Sequence, residues 1–243
     1  MDKFYFIHIR KVAGTSVRAF LEQNFKKKEI CPELSQIDLF GKMPEDQITE
    51  YVRAYRLVSG HYYNLPKFFD ERRFTFTILR EPISRTISEI NQMRNDKNDI
   101  WHEEALESTP CEMLSDSTFE TVLDNNQTRF LVNNSNSLYE KLSDEARLER
   151  AKRYLDEIDF FGTTENLTLS LFMLSKAAGL RPPKKLFRKN TKITQKGLTI
   201  EDFLPCMAKL YERNRIDLPL YAYAKRKFEE RTLAFLRSCE VEG

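Results

Sequence analysis

At 243 residues the chain is long enough to bury a substantial core as one large domain. A formal charge of +2 argues against wholesale nucleic-acid binding, although basic clusters stand at Lys26-Lys27-Lys28 and from Lys184 to Lys192. No apolar run is long enough to span a bilayer and strand-like residues begin almost at Met1, so a soluble, cytoplasmic protein is expected, the alternative being a chain cut free of a membrane stem.

Phe4-Tyr5-Phe6-Ile7-His8-Ile9 is nearly all aromatic and β-branched without alternation, which predicts a strand buried on both faces of a parallel sheet, with His8 a core histidine. Val17, Phe20, Leu21 and Phe25 recur at helical spacing and predict a helix packed back on that strand. Between them, Arg10-Lys11-Val12-Ala13-Gly14-Thr15-Ser16 places two cations, small residues and two hydroxyls at a helix start. Backbone N–H groups approach an anion there, and the helix end adds partial positive charge, so the stretch reads as a phosphate cradle. It is not a Walker A loop, because Lys11 precedes the glycine and no Gly-Lys-Ser/Thr triplet follows. A tight strand-to-helix turn with a chance lysine is the plainer alternative.

Further along, Glu45 to Tyr55 predicts a short helix and Arg56 to His61 a brief strand ending at Gly60-His61. Leu65 to Arg73 reads as a short helix or loop. Phe74 to Leu79 is a clear strand that ends at Arg80. Pro82 opens the next helix, with Ile83, Ile87 and Ile90 on its buried stripe. Residues 95–112, which hold Trp101 and His102, show no regular pattern and read as a binding loop or a surface excursion. Ser143 to Ile158 predicts a helix, Asp159 to Gly162 a strand, and Leu167 to Ala178 a helix closed by Gly179. Helices fill the remainder after Pro182-Pro183, the last one capped by Asp217. Strands alternating with helices give a three-layer α/β fold with a mainly parallel central sheet, as a single domain over 1–243.

Cys31, Cys111, Cys206 and Cys239 are far apart and form no CxxC pair. Neither a zinc site nor a disulfide framework is expected, and a reduced compartment follows.

In open parallel sheets ligands collect outside the carboxyl ends of the strands, and three predicted strands end in turn at Arg10-Lys11, His61 and Arg80. At these residues the chain resembles the P-loop-like sulfotransferases that use 3′-phosphoadenosine 5′-phosphosulfate (PAPS), and within them the branch related to carbohydrate 2-O-sulfotransferases. The family's opening signature is close to His-Ile-Pro-Lys-Thr-Gly-Gly-Thr-Ser, and His8 to Ser16 stands in its place. Leu79-Arg80-Glu81-Pro82 with Ser88 matches the second signature, and Ser59-Gly60-His61 resembles the Gly-His that carries the 2-O branch's base. Arg10 departs from a family proline, Val12 from a threonine and Ala13 from a glycine.

The resemblance implies a role for each of these positions. Lys11, with the N–H groups and hydroxyls of Gly14, Thr15 and Ser16 and the backbone of Arg10, Val12 and Ala13, would hold the 5′-phosphosulfate. Arg80 and Ser88 would hold the 3′-phosphate, and Arg188, Lys189 and Asn190 would close over it. His61 would take the acceptor's proton and Lys11 would stabilise the departing oxygen, with no metal required. The acceptor would be a hydroxyl on a carbohydrate or small metabolite, the product adenosine 3′,5′-bisphosphate. Read without the resemblance, His61 is a strand-end histidine, Arg80 a surface arginine paired with Glu81 or Glu89, and the Lys184 to Lys192 run a solvated loop. His102 is a rival base, and Glu165 a helix-start partner. A nucleotide kinase with a divergent phosphate loop and a non-catalytic nucleotide-binding module are the competing functional classes. The oligomeric state is not set by these residues.

Overall fold

A computed structural model describes residues 3–35, 37–184 and 197–241. Its centre is a four-stranded sheet of β1 (Phe4–Ile7), β2 (Leu57–Gly60), β3 (Phe74–Leu79) and β4 (Phe160–Thr163), in the order β2-β1-β3-β4. Every pairing is parallel, with Ile7 opposite both Gly60 and Thr77, and Leu79 opposite Thr163. All four carboxyl ends therefore reach one rim. The expected α/β fold with a parallel sheet flanked by helices is present.

The helices are α1 (Gly14–Glu22), α2 (Glu45–Arg53), α3 (Pro82–Asn95), α4 (His102–Glu107), α5 (Pro110–Met113), α6 (Glu120–Leu123), α7 (Asn126–Asn134), α8 (Asp144–Glu157), α9 (Leu167–Ala178), α10 (Met207–Glu212) and α11 (Asp217–Val241). Every residue of β1 is buried, as a strand covered on both faces requires. Val17, Phe20 and Leu21 of α1 are buried with it, each such side chain contributing about 1.5–3 kcal/mol of apolar burial. Ser143 caps α8 through the N–H of Ala146 at 3.3 Å, and Gly179 closes α9 at φ 65°.

Four expectations need correction. β1 stops at Ile7, because the chain turns there into the loop, so His8 lies half-buried beyond the strand rather than inside it. Residues 95–112 are not irregular, since α4 and the start of α5 lie within them. Ala105, Met113 and Leu114 join a second apolar cluster with Phe203, Cys206 and Leu210 beneath α3. The periodicity escaped reading because each helix there is under two turns long.

Cys111 and Cys206 form a disulfide, with Cα atoms 5.5 Å apart and a sequence separation of 95. Only the folded chain brings them together, so spacing gave no sign of it. Asp217 does not cap its own helix. Its carboxylate accepts the N–H groups of Gln127 (3.0 Å) and Thr128 (2.7 Å) and the Thr128 hydroxyl (2.6 Å) at the start of α7. Asn125 Oδ1 in turn accepts the N–H groups of Ile216 (2.7 Å) and Asp217 (3.1 Å), so α7 and α11 cap one another.

Candidate active site

The loop from β1 to α1 turns twice through left-handed backbone, at Lys11 (φ 63°) and Ala13 (φ 66°). For a residue with a Cβ this costs on the order of 1–2 kcal/mol at each position. Ala13 is where the family signature has glycine, and its conformation is the physical reason a glycine suits. Gly14 is required differently. A Cβ there would lie 1.7 Å from His8 Nε2, so the imidazole occupies the space a side chain would need.

Neighbouring elements hold the loop's cations in place. Arg80 Nη1 donates to the carbonyl oxygen of Lys11 at 3.0 Å, and Lys11 Nζ donates to Gln92 Oε1 on α3 at 2.9 Å. Gln127 of α7 fixes Arg80 from behind, accepting its backbone N–H at 2.9 Å and donating to its carbonyl at 2.8 Å. Arg10 turns to buried carboxylates instead: Nε donates to Glu89 at 2.7 Å and Nη2 to Asp99 at 2.8 Å, with the guanidinium 5.7 Å from the Trp101 ring centre. Burial lowers the pKa of Lys11 against the pull of Glu89. It acts against Arg10 too, but Glu89 and Asp99 outweigh it and the pKa rises. For Arg80 burial again lowers the pKa, with Glu165 and Glu81 opposing.

His61, just past β2, hydrogen-bonds the carbonyl oxygen of His8 through Nδ1 at 2.6 Å, and the two rings lie 4.2 Å apart. A carbonyl only accepts, so Nδ1 carries the hydrogen and Nε2 the lone pair. Burial lowers the His61 pKa from the ordinary 6.5, with Glu33 acting the other way. Burial and the neighbouring His61 lower that of His8 further still.

The rim thus gathers Lys11, His61 and Arg80 from three strand ends. Ser88 is half-buried on α3, Ser16 half-buried and Thr15 exposed on α1. Arg188, Lys189 and Asn190 lie outside the described residues. His102 Nδ1 is tied to the Met93 carbonyl at 2.9 Å. Glu165 accepts the Glu81 N–H at 3.1 Å and the Tyr221 hydroxyl at 2.6 Å, a positioning role. Sequence reasoning missed Gln92, Gln127, Asp99 and Glu33, because polar residues on helices and loops declare no partner until the fold supplies one. Glu89, an expected partner of Arg80, pairs instead with Arg10 and, at 3.4 Å, with Arg85.

An all-parallel sheet with a cationic loop after its first strand, flanked by a histidine and an arginine from the neighbouring strand ends, has the architecture of a P-loop-like sulfotransferase fold. No protein-family model matches the chain. It is similar to heparan-sulfate 6-O-sulfotransferase 1 of Gallus gallus, at 24% identity over 269 residues covering 92% of this chain and 65% of that protein. It is also similar to heparan-sulfate 6-O-sulfotransferase 1-B of Danio rerio, at 24% over 274 residues, or 95% of this chain and 67% of that one. The chain thus spans 65% of the length of the first relative. Both relatives are named as carbohydrate sulfotransferases, the class that the signature residues resemble. Both relatives bear the 6-O name, whereas the signatures pointed to the 2-O branch. Among the described residues no helix is long and apolar enough to cross a membrane.

Proposed function

We propose that this protein transfers a sulfuryl group from PAPS to a carbohydrate hydroxyl by in-line displacement. The observation that carries the reading is the bond from Arg80 to the Lys11 carbonyl beside the His8–His61 pair, which unites a cationic cradle with a neutral imidazole. Lys11 and the N–H groups and hydroxyls of Gly14, Thr15 and Ser16 take the 5′-phosphosulfate, and Arg80 with Ser88 takes the 3′-phosphate. Arg10 contributes backbone only, since its guanidinium serves Glu89 and Asp99.

The acceptor oxygen bonds to sulfur as the bond from sulfur to the bridging phosphate oxygen breaks. Nε2 of His61 takes the hydroxyl proton, and Lys11 stabilises the charge that develops on the leaving oxygen. Positioning and electrostatics do most of the work, as in phosphoryl transfer. The relatives' names support a glycan of the heparan-sulfate type as acceptor. The Cys111–Cys206 disulfide favours an oxidising compartment over the cytoplasm.

Thermal stabilisation tests the reading, because a ligand bound only by the native state raises apparent stability. Adenosine 3′,5′-bisphosphate is expected to protect the protein without magnesium. Protection by magnesium ATP alone would contradict the reading in favour of a kinase.

A further inference from the structure

Two histidines and a carboxylate meet at the rim in a way sulfuryl transfer does not require. One donor atom each from His8, Glu33 and His61 lies within 4.8 Å of the others. His8 follows β1 and His61 follows β2, so adjacent rigid strands set both rings. Glu33, exposed on the loop before α2, brings its carboxylate to them.

We propose that His8, Glu33 and His61 form a binding site for a single zinc-type divalent cation. Two imidazoles and one carboxylate are a zinc donor set that leaves a fourth position open. The His61 tautomer suits it, because metal-binding histidines commonly donate the other ring hydrogen to a carbonyl or carboxylate, as Nδ1 does here to His8. Tetrahedral zinc holds its donors roughly 3.3 Å apart, a spacing inside the 4.8 Å within which these atoms lie, and exposed Glu33 is the member free to adjust to it. Arg18 opposes the site, since its Nη1 lies 3.6 Å from Glu33 and competes for the carboxylate.

A metal on His61 Nε2 takes the lone pair an acceptor proton needs, so occupation of the site inhibits transfer. That consequence rests on the reading of His61 as base; the site itself does not.

The test titrates the untagged, chelator-treated protein with Co²⁺ in the absence of nucleotide, reading the visible absorption of low-coordinate cobalt and its displacement by Zn²⁺. Saturation near one equivalent is expected. Glu33→Gln should weaken binding at least about tenfold, His8→Gln should abolish the signal, and Arg18→Ala should tighten binding. No saturable absorption, or absorption unchanged by Glu33→Gln, would overturn the proposal; Glu33 is exposed, so its variant decides even if His8→Gln fails to fold. Zinc is then added to the transfer assay. Inhibition relieved by chelator supports the site. Cobalt bound at these residues with turnover unimpaired also supports the site while removing His61 as base.

Discussion

Arg80 reaches back across 69 residues to donate a hydrogen bond to the Lys11 carbonyl, joining the end of β3 to a left-handed turn after β1. The same guanidinium is proposed to meet the 3′-phosphate, so it links loop shape to ligand charge. Replacing it with alanine is expected to weaken adenosine 3′,5′-bisphosphate binding by about 1.5–3 kcal/mol, the usual worth of a hydrogen bond to a charged group. Calorimetric titration of Arg80→Ala checks this, and undiminished affinity would reduce Arg80 to a structural role.

His61→Ala is expected to lower turnover by roughly 10²–10⁴ while nucleotide affinity holds, since the variant loses the base and the bond to the His8 carbonyl but no proposed nucleotide contact. Parallel turnover and binding measurements separate the two effects. Full turnover in the variant would exclude His61 as base.

Burial lowers the folded-state pKa of both His8 and His61 below 6.5. The unfolded chain therefore binds more protons as pH falls below that value. The stability held by the neutral rings is complete above about pH 6.5 and declines as pH drops toward the folded values. With chelator present, the urea midpoint should fall between pH 7.5 and pH 5.5, and fall less in His8→Phe. Equal declines in both proteins would contradict the assignment to His8.

The loop offers two single-methyl changes of opposite sign. Gly14→Ala forces a Cβ into the His8 ring and is expected to cost about 1–3 kcal/mol as an overpacked site. Ala13→Gly relieves a left-handed alanine and is expected to stabilise by up to about 1 kcal/mol. Denaturant unfolding of both variants checks the pair, and a destabilising Ala13→Gly would contradict the conformational argument.

Reduction of the Cys111–Cys206 bond should cost about 2–5 kcal/mol, since it closes a long loop and staples the second apolar cluster. Dithiothreitol is expected to lower the melting temperature of the wild type but not that of a Cys111→Ser, Cys206→Ser double variant. An unmoved wild-type transition would show that the bond carries no stability.

The parts legible in the sequence were those with a local signature. The unbroken apolar run at Phe4 to Ile7 and the alternation of strands with helices announced a parallel sheet, and Lys11, His61 and Arg80 could be placed on its rim. What stayed hidden depended on long-range contact. Cys111 meets Cys206, Asn125 and Asp217 exchange caps, and Gln127 clamps Arg80, with no spacing rule to reveal any of them. His8 was misread because two residues at a strand's end cannot be told from the strand by composition, although they decide whether the ring faces core or site.

The most direct measurement of transfer incubates the protein with PAPS and a panel of heparan-type oligosaccharides without added metal, then follows sulfated product and adenosine 3′,5′-bisphosphate by mass spectrometry. Equal amounts of both are expected, with product lost in Lys11→Ala. Tight nucleotide binding with no sulfated product across glycans and small hydroxyl acceptors would contradict the account and leave a silent nucleotide-binding module.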